Sequence, residues 1–402
     1  MSGHDELAAA RAPRLVVFVG GFDPRGARHY YRLFCEHAAL QAKVDQQAYA
    51  VGPRQALDVG GHRHAQWSFS GEEGGGDYVF FDWSDAVRAH WPRSWWPVAA
   101  QACVTYAVAL KDWRVLRAVQ RQASNTLLSF AYPLGYIVLA LAAAVGGFAL
   151  GWRLSEGLAS WVRWAMPAAM SAAVLWGSAA LDKLLHVSWL LRILNFANHS
   201  SQSDCPVLAQ RTCAMADWIQ AQAARQSKLE VVVLGFSVGS VQALHLVDAL
   251  RRRLPAQQTA AQGEPTSVTL LTLGNCIPLF SLMRKAQALR ATLNDVAADS
   301  RVYWADVSSP GDSVSFGMCD LMPLAMRGAP PPAQAYVNPR HMCSPRFHKL
   351  FEPETYRRMR RNKMRMHFQY LMASEKRGAY NFFAMLTAPG AVRAFVEKYL
   401  VR

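Results

Sequence analysis

The order of apolar and polar residues along the chain predicts strands that alternate with helices. Short apolar runs rich in β-branched residues begin at Arg14, Leu229, Ser267 and Arg301, and each ends in glycine or polar residues, as buried strands do. Helix-compatible segments follow them, most clearly after Ser237. This alternation is typical of an α/β domain with a mostly parallel sheet and helices on both faces.

The N-terminal part of this pattern contains one predicted helix and several short strands. After the run RLVVFVGGFD, the segment ARHYYRLFCEHAALQ predicts a helix with Tyr31, Phe34, Cys35 and Ala38 on one face. Two extended stretches, around VDQQAYAVGP and HRHAQWSFS, predict a β-hairpin or two short strands. DYVFFDWSDAVRAHW then predicts another strand that leads into a helix.

Two long apolar segments interrupt the α/β pattern. Residues 127–150 carry no charged side chain, and residues 158–181 carry only Arg163. Each is long enough as a helix to cross a hydrocarbon core of about 30 Å. Together they predict a transmembrane helical hairpin; the alternative is a pair of helices buried in a large soluble core. Residues 184–197 predict an amphipathic helix along the membrane surface.

The flanks of the hairpin predict its orientation and the division of the chain. Basic residues surround its outer ends, whereas the linking turn has one arginine and one glutamate; these flanking residues are Lys111, Arg114, Arg117, Arg121, Lys183 and Arg192. The positive-inside bias places both outer ends in the cytoplasm, at the cell membrane. We therefore predict an α/β domain in two parts, residues 14–110 and 206–402, with a membrane insertion at 111–200.

Composition and charge agree with a membrane association. The chain is 52% hydrophobic and only 18% charged, with a formal net charge of +15. The excess of basic residues is compatible with an anionic membrane surface or with nucleic acid. No nucleic-acid module is recognisable, so the lipid bilayer is the predicted partner. Seven widely spaced cysteines without a CxxC pair indicate reduced thiols and neither a disulfide framework nor a zinc site.

The stretch LEVVVLGFSVGSVQ, residues 229–242, carries the strongest chemical signal. It combines an apolar strand, a sharp Gly235-Phe236-Ser237-Val238-Gly239 turn and a helix. A serine at such a corner has a strained backbone and an exposed hydroxyl, and the flanking glycines let strand and helix pass closely. Ser237 is therefore the candidate nucleophile; the alternative is an ordinary tight turn with a solvent-facing serine.

A serine nucleophile requires a base, an acid that orients the base, and donors for a developing oxyanion. Gly20-Gly21-Phe22, at the end of the first strand, is the candidate oxyanion loop because glycine permits close backbone approach. Asp312 lies in a loop after a strand and is preferred as the acid over Asp306, which lies nearer the strand body.

Three histidines follow the candidate acid. His367 precedes what looks like the final helix and is preferred as the base, whereas His341 and His348 are its alternatives. His348 falls in a proline- and arginine-rich stretch that is typical of an excursion or lid. Each of these histidines also fits an ordinary structural role.

GFSVG, the earlier VFVGGF, the loop GDSV and the late MHFQYL together resemble the α/β-hydrolase superfamily, especially its lipases and esterases. The resemblance covers residues 14–90 and about 206–402. It implies Ser237 as nucleophile, Asp312 as acid and His367 as base. It also implies backbone donors at Val238 and at Gly21 or Phe22. The chain departs from the commonest pattern, since no histidine precedes Gly20 and the stretch from Asp312 to His367 is long.

These observations predict a membrane-anchored serine hydrolase that cleaves lipid-like acyl esters without a cofactor or metal. An acyltransferase or thioesterase would use the same residues, and a non-catalytic membrane scaffold with a degenerate hydrolase fold is the alternative from another class. Acyl length, head group and oligomeric state are left open by the sequence.

Overall fold

The computed structural model describes residues 13–111, 116–117, 119–120, 124–200, 205–226, 228–253, 268–283, 285–320 and 341–401. It divides the chain into two compact units. The first comprises the described residues of 1–91, 113–126 and 197–402, and the second comprises those of 92–112 and 127–196. The first unit is interrupted in sequence by the second.

One sheet organises the first unit. Its strands are β1 (Arg14–Val19), β2 (Ala50–Val51), β3 (Gln55–Val59), β4 (His62–Ser70), β5 (Gly75–Phe81), β6 (Glu230–Phe236), β7 (Val268–Leu273), β8 (Val302–Val307) and β9 (His341–Cys343). They lie in the order β2-β4-β5-β1-β6-β7-β8-β9, and β3 also pairs with β4. From β5 through β9 neighbouring strands are parallel, whereas β2, β3 and β5 pair with β4 antiparallel. The predicted mostly parallel sheet is confirmed, with an antiparallel edge that makes it mixed.

Helices connect these strands. In the first unit they are α1 (Gly26–Asp45), α2 (Ser84–Ala89), α7 (Pro206–Arg225), α8 (Gly239–Arg251), α9 (Ile277–Ser281), α10 (Gln287–Ala298), α11 (Phe347–Leu350), α12 (Pro353–Arg361), α13 (Lys363–Phe368), α14 (Phe382–Thr387) and α15 (Val392–Tyr399). A 3₁₀ turn at Gln369–Leu371 follows α13. This alternation of helices with parallel strands gives an α/β fold.

The sheet is covered on both faces. Side chains alternate across a strand, and Val232, Leu234 and Phe236 of β6 pack in one core cluster with Phe34 of α1. The opposite face holds Gly235, where an added Cβ would lie 2.6 Å from Ser240 Cα of α8. Helix α1 therefore covers one face and α8 the other.

The buried face of α1 contains two of the four predicted residues. Tyr30, Phe34 and Ala38 are buried, whereas Tyr31 and Cys35 are only half-buried. The reason is ring packing, because Tyr30 contacts Phe18 of β1 at a centroid distance of 5.3 Å. Residues at i and i+4 share a face of a helix, so Tyr30, Phe34 and Ala38 form the buried row. The helix is therefore rotated about its axis relative to the predicted orientation, in which Tyr31 was buried.

A buried ion pair joins β1 to β6 at the amino end of both strands. Arg14 Nε donates to Glu230 Oε2 at 2.6 Å, and both side chains are almost fully buried. Glu230 Oε1 accepts from the N–H of Val392, and the Arg14 guanidinium donates to the carbonyl of Leu386. The pair is thus hydrogen-bonded on its outer sides, as a buried ion pair must be to offset its desolvation.

The second unit is helical. It contains α3 (Trp95–Leu110), most of α4 (Ser124–Leu154), α5 (Ser160–Leu185) and most of α6 (Val187–Ser200). Helices α4 and α5 are both long and apolar enough to cross a membrane. Large apolar side chains on them are uncovered by the rest of the chain: Leu139 and Val145 are 70% exposed and Trp176 is 77% exposed.

Small residues bring α4 and α5 together. A Cβ at Gly151 would lie 2.7 Å from Pro167 Cα, and a Cβ at Gly147 would lie 3.3 Å from Val174. The two glycines are four residues apart and share one face of α4, where they allow close approach of the helix backbones. Tyr136 adds a hydrogen bond from its hydroxyl to the Ser178 carbonyl.

Candidate active site

The strand order makes the carboxyl ends of β1 and β6 a topological switch point. These strands are neighbours in the sheet, yet the helices that follow them pack on opposite faces. The loops after the two strands therefore diverge, which is the place where α/β sheets bind ligands. Gly20-Gly21 follows β1, and Ser237 follows β6.

Ser237 occupies a strained corner between β6 and α8. Its φ of 57° lies in the left-handed region, which a residue with a side chain rarely adopts. Two glycines make the corner possible. A Cβ at Gly239 would overlap the carbonyl oxygens of Val19 and Gly20, and a Cβ at Gly235 would lie 2.7 Å from Ala243 Cβ.

The backbone after β1 lies directly against Ser237. A Cβ at Gly21 would lie 3.1 Å from Ser237 Cβ and 3.5 Å from its Oγ, so a larger residue at position 21 would crowd the Ser237 Cβ. The Gly20 carbonyl accepts a hydrogen bond from Trp83 Nε1 at 2.9 Å, which holds the loop. Phe22 is buried and its ring lies 5.5 Å from that of Trp91.

Val238 is the N-cap of α8. Backbone N–H groups at a helix N-terminus lack intrahelical partners and carry a partial positive charge. The backbone of Val238, at the start of α8, therefore lies next to Ser237. The backbone of Gly21, in the loop after β1, also lies against the Ser237 side chain.

The Ser237 hydroxyl is buried and has a sulfur neighbour. Ser237 is only 2% exposed, and its Oγ lies 3.8 Å from Cys276 Sγ. Burial raises the pKa of the Cys276 thiol to about 12, so the thiol remains protonated at neutral pH and does not compete as a nucleophile. Ser240 completes the corner, since its Oγ donates to the Ser237 carbonyl at 2.5 Å.

Asp312 and His367 form a buried hydrogen-bonded pair across 55 residues of sequence. His367 Nδ1 lies 2.8 Å from Asp312 Oδ2, and neither side chain is more than 1% exposed. Asp312 Oδ1 accepts from the backbone N–H of Val314 at 3.1 Å. A carboxylate at Nδ1 favours the tautomer that carries its proton there and leaves a lone pair on Nε2.

The other ring nitrogen of His367 is unused. Its Nε2 is buried and has no hydrogen-bond partner among the described residues. The imidazole packs against Phe236, the residue before Ser237, at a ring-centroid distance of 5.0 Å. The structure thus brings Asp312 and His367 together and sets the ring beside the corner, but no hydrogen bond joins His367 Nε2 to Ser237 Oγ in the described residues.

The alternative acid and bases occupy other surroundings. Asp306 Oδ1 accepts from Thr272 Oγ1 at 2.6 Å and from Asn275 Nδ2 at 2.7 Å, and its Oδ2 accepts from Ser308 Oγ at 2.9 Å. These bonds join β8 to β7, to the loop after β7 and to the loop after β8. His341 begins β9 and stacks near Tyr303, and His348 lies in α11 near Tyr356.

Two further residues shape the site. Tyr370 is fully buried, and its hydroxyl accepts from the Ser309 N–H at 2.8 Å, which braces the loop that carries Asp312. Burial raises the pKa of Tyr370 far above its usual range. Cys276 could have been singled out in the sequence because it follows β7 at the same sheet edge; no sequence signal marked Tyr370.

No group of three or more metal-ligating side chains that could hold an ion occurs in the part of the chain described by the structure. Comparison with known proteins gives no relative: no family model, no curated protein and no solved structure matches this chain significantly. The fold and the site geometry are therefore the basis for assigning a function.

Proposed function

We propose that the protein is a membrane-anchored serine hydrolase of the α/β-hydrolase type. The observation that carries the proposal is the buried Asp312–His367 pair, whose Nε2 has no partner among the described residues and whose ring packs against Phe236, the residue before Ser237. A general base needs an unoccupied nitrogen near the nucleophile and an acid that fixes its tautomer. The Asp312 carboxylate at Nδ1 and the unoccupied Nε2 of His367 support this assignment.

In the proposed reaction, Ser237 Oγ attacks the carbonyl carbon of an acyl ester while His367 Nε2 accepts the hydroxyl proton. Asp312 stabilises the imidazolium through Nδ1. The tetrahedral oxyanion is stabilised by the backbone N–H groups of Val238 and of Gly21 or Phe22. His367 then protonates the leaving alcohol, and a water molecule, activated by the same histidine, hydrolyses the acyl-enzyme.

The proposal requires a small rearrangement in the site. Ser237 Oγ, which lies 3.8 Å from Cys276 Sγ, must turn towards His367 Nε2. Hydrogen bonds between nucleophile and base are commonly long before substrate binds. Because Ser237 and His367 are almost fully buried, substrate entry also requires the covering segments to open.

We further propose that the substrate is a lipid-like acyl ester and that α4 and α5 span the cell membrane. Their uncovered apolar side chains support this location, since such helices are stable in hydrocarbon and costly in water. The chain connects the first unit to these helices on both sides, which tethers that unit to the bilayer.

We expect the protein to hydrolyse a long-chain ester in micelles much faster than a short, water-soluble ester. A buried nucleophile on a membrane-tethered unit favours substrates that reach it from a lipid phase. The measurement compares p-nitrophenyl palmitate in mixed micelles with p-nitrophenyl butyrate, at equal enzyme. Equal rates would contradict the lipid preference. Product analysis with an added alcohol separates free acid from a transferred acyl group.

The proposed orientation places the first unit in the cytoplasm and the turn between α4 and α5 outside. Glu156 is exposed in that turn, and Cys205 and Cys213 are exposed in the first unit. In intact cells we expect a membrane-impermeant maleimide to label the Glu156→Cys variant but not the wild type, which should react only after permeabilisation. Labelling of the wild type in intact cells, with no increase in the variant, would show the opposite orientation.

A further inference from the structure

A polar cavity of about 370 Å³ lies in the first unit, apart from Ser237. It is lined by the start of α1, by β3 and β4, by the segment that follows β5, and by one side chain of α7. Its lining contains four arginines and only two aspartates. The charged residues are Arg54, Arg63, Arg88, Arg211, Asp82 and Asp85. The excess of positive charge favours an anionic ligand.

His64 lines this cavity and carries an unsatisfied donor. It is only 4% exposed, and its Nδ1 accepts a hydrogen bond from the Asp82 N–H at 3.0 Å. The proton of the neutral ring must then reside on Nε2, which is buried and has no partner in the described residues. Burial and the nearby Arg211 lower the pKa of His64 to about 4, against weaker opposing effects of Asp82 and Asp58. The ring is thus a neutral N–H donor at pH 7.

Arg211 supplies a second unsatisfied donor. It is 6% exposed. Its two terminal nitrogens each donate to the Asp85 carboxylate at 2.7 Å, and one also donates to the Asp82 carbonyl. These bonds fix the guanidinium, but its Nε–H is buried without a partner among the described residues. Buried donors are costly when unpaired, and two residues that line one cavity each carry such a donor.

The N-terminus of α1 adds a third source of positive potential. Ala27 of its first turn lines the cavity, and Arg25, the N-cap residue of this 20-residue helix, makes no side-chain capping hydrogen bond. Its first backbone N–H groups therefore lack intrahelical acceptors and carry the positive end of the helix dipole. Helix N-termini bind phosphate for this reason.

Exposed arginines complete the surroundings. Arg88 is oriented by hydrogen bonds from Nη1 to Ser84 Oγ and to the Pro24 carbonyl, both at 3.0 Å. Arg54 and Arg63 are exposed side chains of the lining. Guanidinium groups match the geometry of phosphate oxygens and bind them in pairs.

We propose that this cavity binds a phosphate monoester group. The donors converge from a helix end, two buried side chains and three arginines, which suits an anion with three terminal oxygens better than a planar carboxylate. The group can belong to a soluble phosphorylated molecule or to a lipid head group. β5 is separated from β6 by β1 alone, so the segment after β5 lies about 10 Å from the Ser237 corner along the same sheet edge.

The test is calorimetric titration of the full-length protein in detergent with inorganic phosphate. We expect saturable binding that weakens at least tenfold in the double variant Arg54→Gln/Arg63→Gln. The matched control is Arg360→Gln/Arg361→Gln, which removes two exposed arginines of α12 that do not line the cavity. Absence of saturable binding, or an equal loss in both double variants, would overturn the proposal.

Competition identifies the source of the phosphate group. If soluble dihexanoyl phosphatidic acid displaces inorganic phosphate, the cavity accepts a lipid head group. If phosphate binding is saturable and this lipid does not compete, the ligand is a soluble phosphorylated molecule. The Ser237→Ala variant should bind phosphate like the wild type, so failure of the hydrolase proposal and failure of this one are distinguishable.

Discussion

Ser237→Ala is expected to reduce kcat/KM for ester hydrolysis by a factor on the order of 10⁴ to 10⁶. The variant lacks the oxygen that would form the acyl-enzyme, whereas the backbone of the corner and the Asp312–His367 pair remain. Alanine and serine both carry a Cβ, so the backbone strain at this positive φ is about the same in the variant. The fold should therefore be little affected. The measurement is the rate of ester hydrolysis by purified protein, with thermal unfolding recorded in parallel.

The control for this variant is Ser281→Ala. The Ser281 hydroxyl is as buried as that of Ser237 and has no hydrogen-bond partner among the described residues. Its removal takes away the same atom from a different part of the first unit, in α9. We expect near wild-type hydrolysis from it. Equal activity in the two variants would remove Ser237 from the reaction.

Asp312→Asn is expected to reduce kcat/KM by about 10⁴-fold with little change in stability. An amide at Asp312 would favour the His367 tautomer with its proton on Nε2, so the ring could no longer accept a proton from Ser237. The shape of the side chain and the acceptor for the Val314 N–H are retained. The measurement is kcat/KM together with the melting temperature of each variant.

Asp306→Asn separates the two candidate acids. Three donors converge on the Asp306 carboxylate, and hydrogen bonds to a charged group contribute about 1.5–3 kcal/mol each. We expect this variant to lose stability, seen as a lower melting temperature, while folded protein retains most of its kcat/KM. If Asp306→Asn abolished hydrolysis and Asp312→Asn did not, the roles of the two aspartates would be exchanged.

Local features of this protein were predictable from sequence because local physics determines them. The corner at Ser237 follows from an apolar strand, two small residues and a helical segment that are contiguous in the chain. The apolar lengths of α4 and α5 are likewise local. The predicted spans 127–150 and 158–181 lie within or overlap these helices, which extend over Ser124–Leu154 and Ser160–Leu185.

Long-range pairings were not predictable in the same way. The hydrogen bond between Asp312 and His367 spans 55 residues, and the ion pair between Arg14 and Glu230 spans 216. Sequence order suggested the first pair through a family resemblance. No sequence pattern suggested the ion pair between Arg14 and Glu230, because a charged side chain at the end of a strand is usually solvated. The position of β4 between β2 and β5 also depends on sheet pairing that no local pattern specifies.

The polar cavity proposed to bind phosphate was even less predictable from the sequence. Arg54, Arg63, Arg88 and Arg211 are scattered over more than 150 residues of sequence and form no motif. They come together because β3 pairs with β4, β4 pairs with β5, and α7 packs nearby. The buried, unpaired nitrogens of His64 and Arg211 became visible only once that packing was known.

Labelling with a fluorophosphonate probe, followed by mass spectrometry of the modified peptide, tests the central claim most directly. An activated serine attacks the probe's phosphorus and becomes covalently marked, whereas an ordinary buried serine does not react. We predict a single adduct on Ser237 of the intact protein, lost in Ser237→Ala and slowed in Asp312→Asn. An intact, folded protein that acquired no adduct on Ser237 would contradict the account.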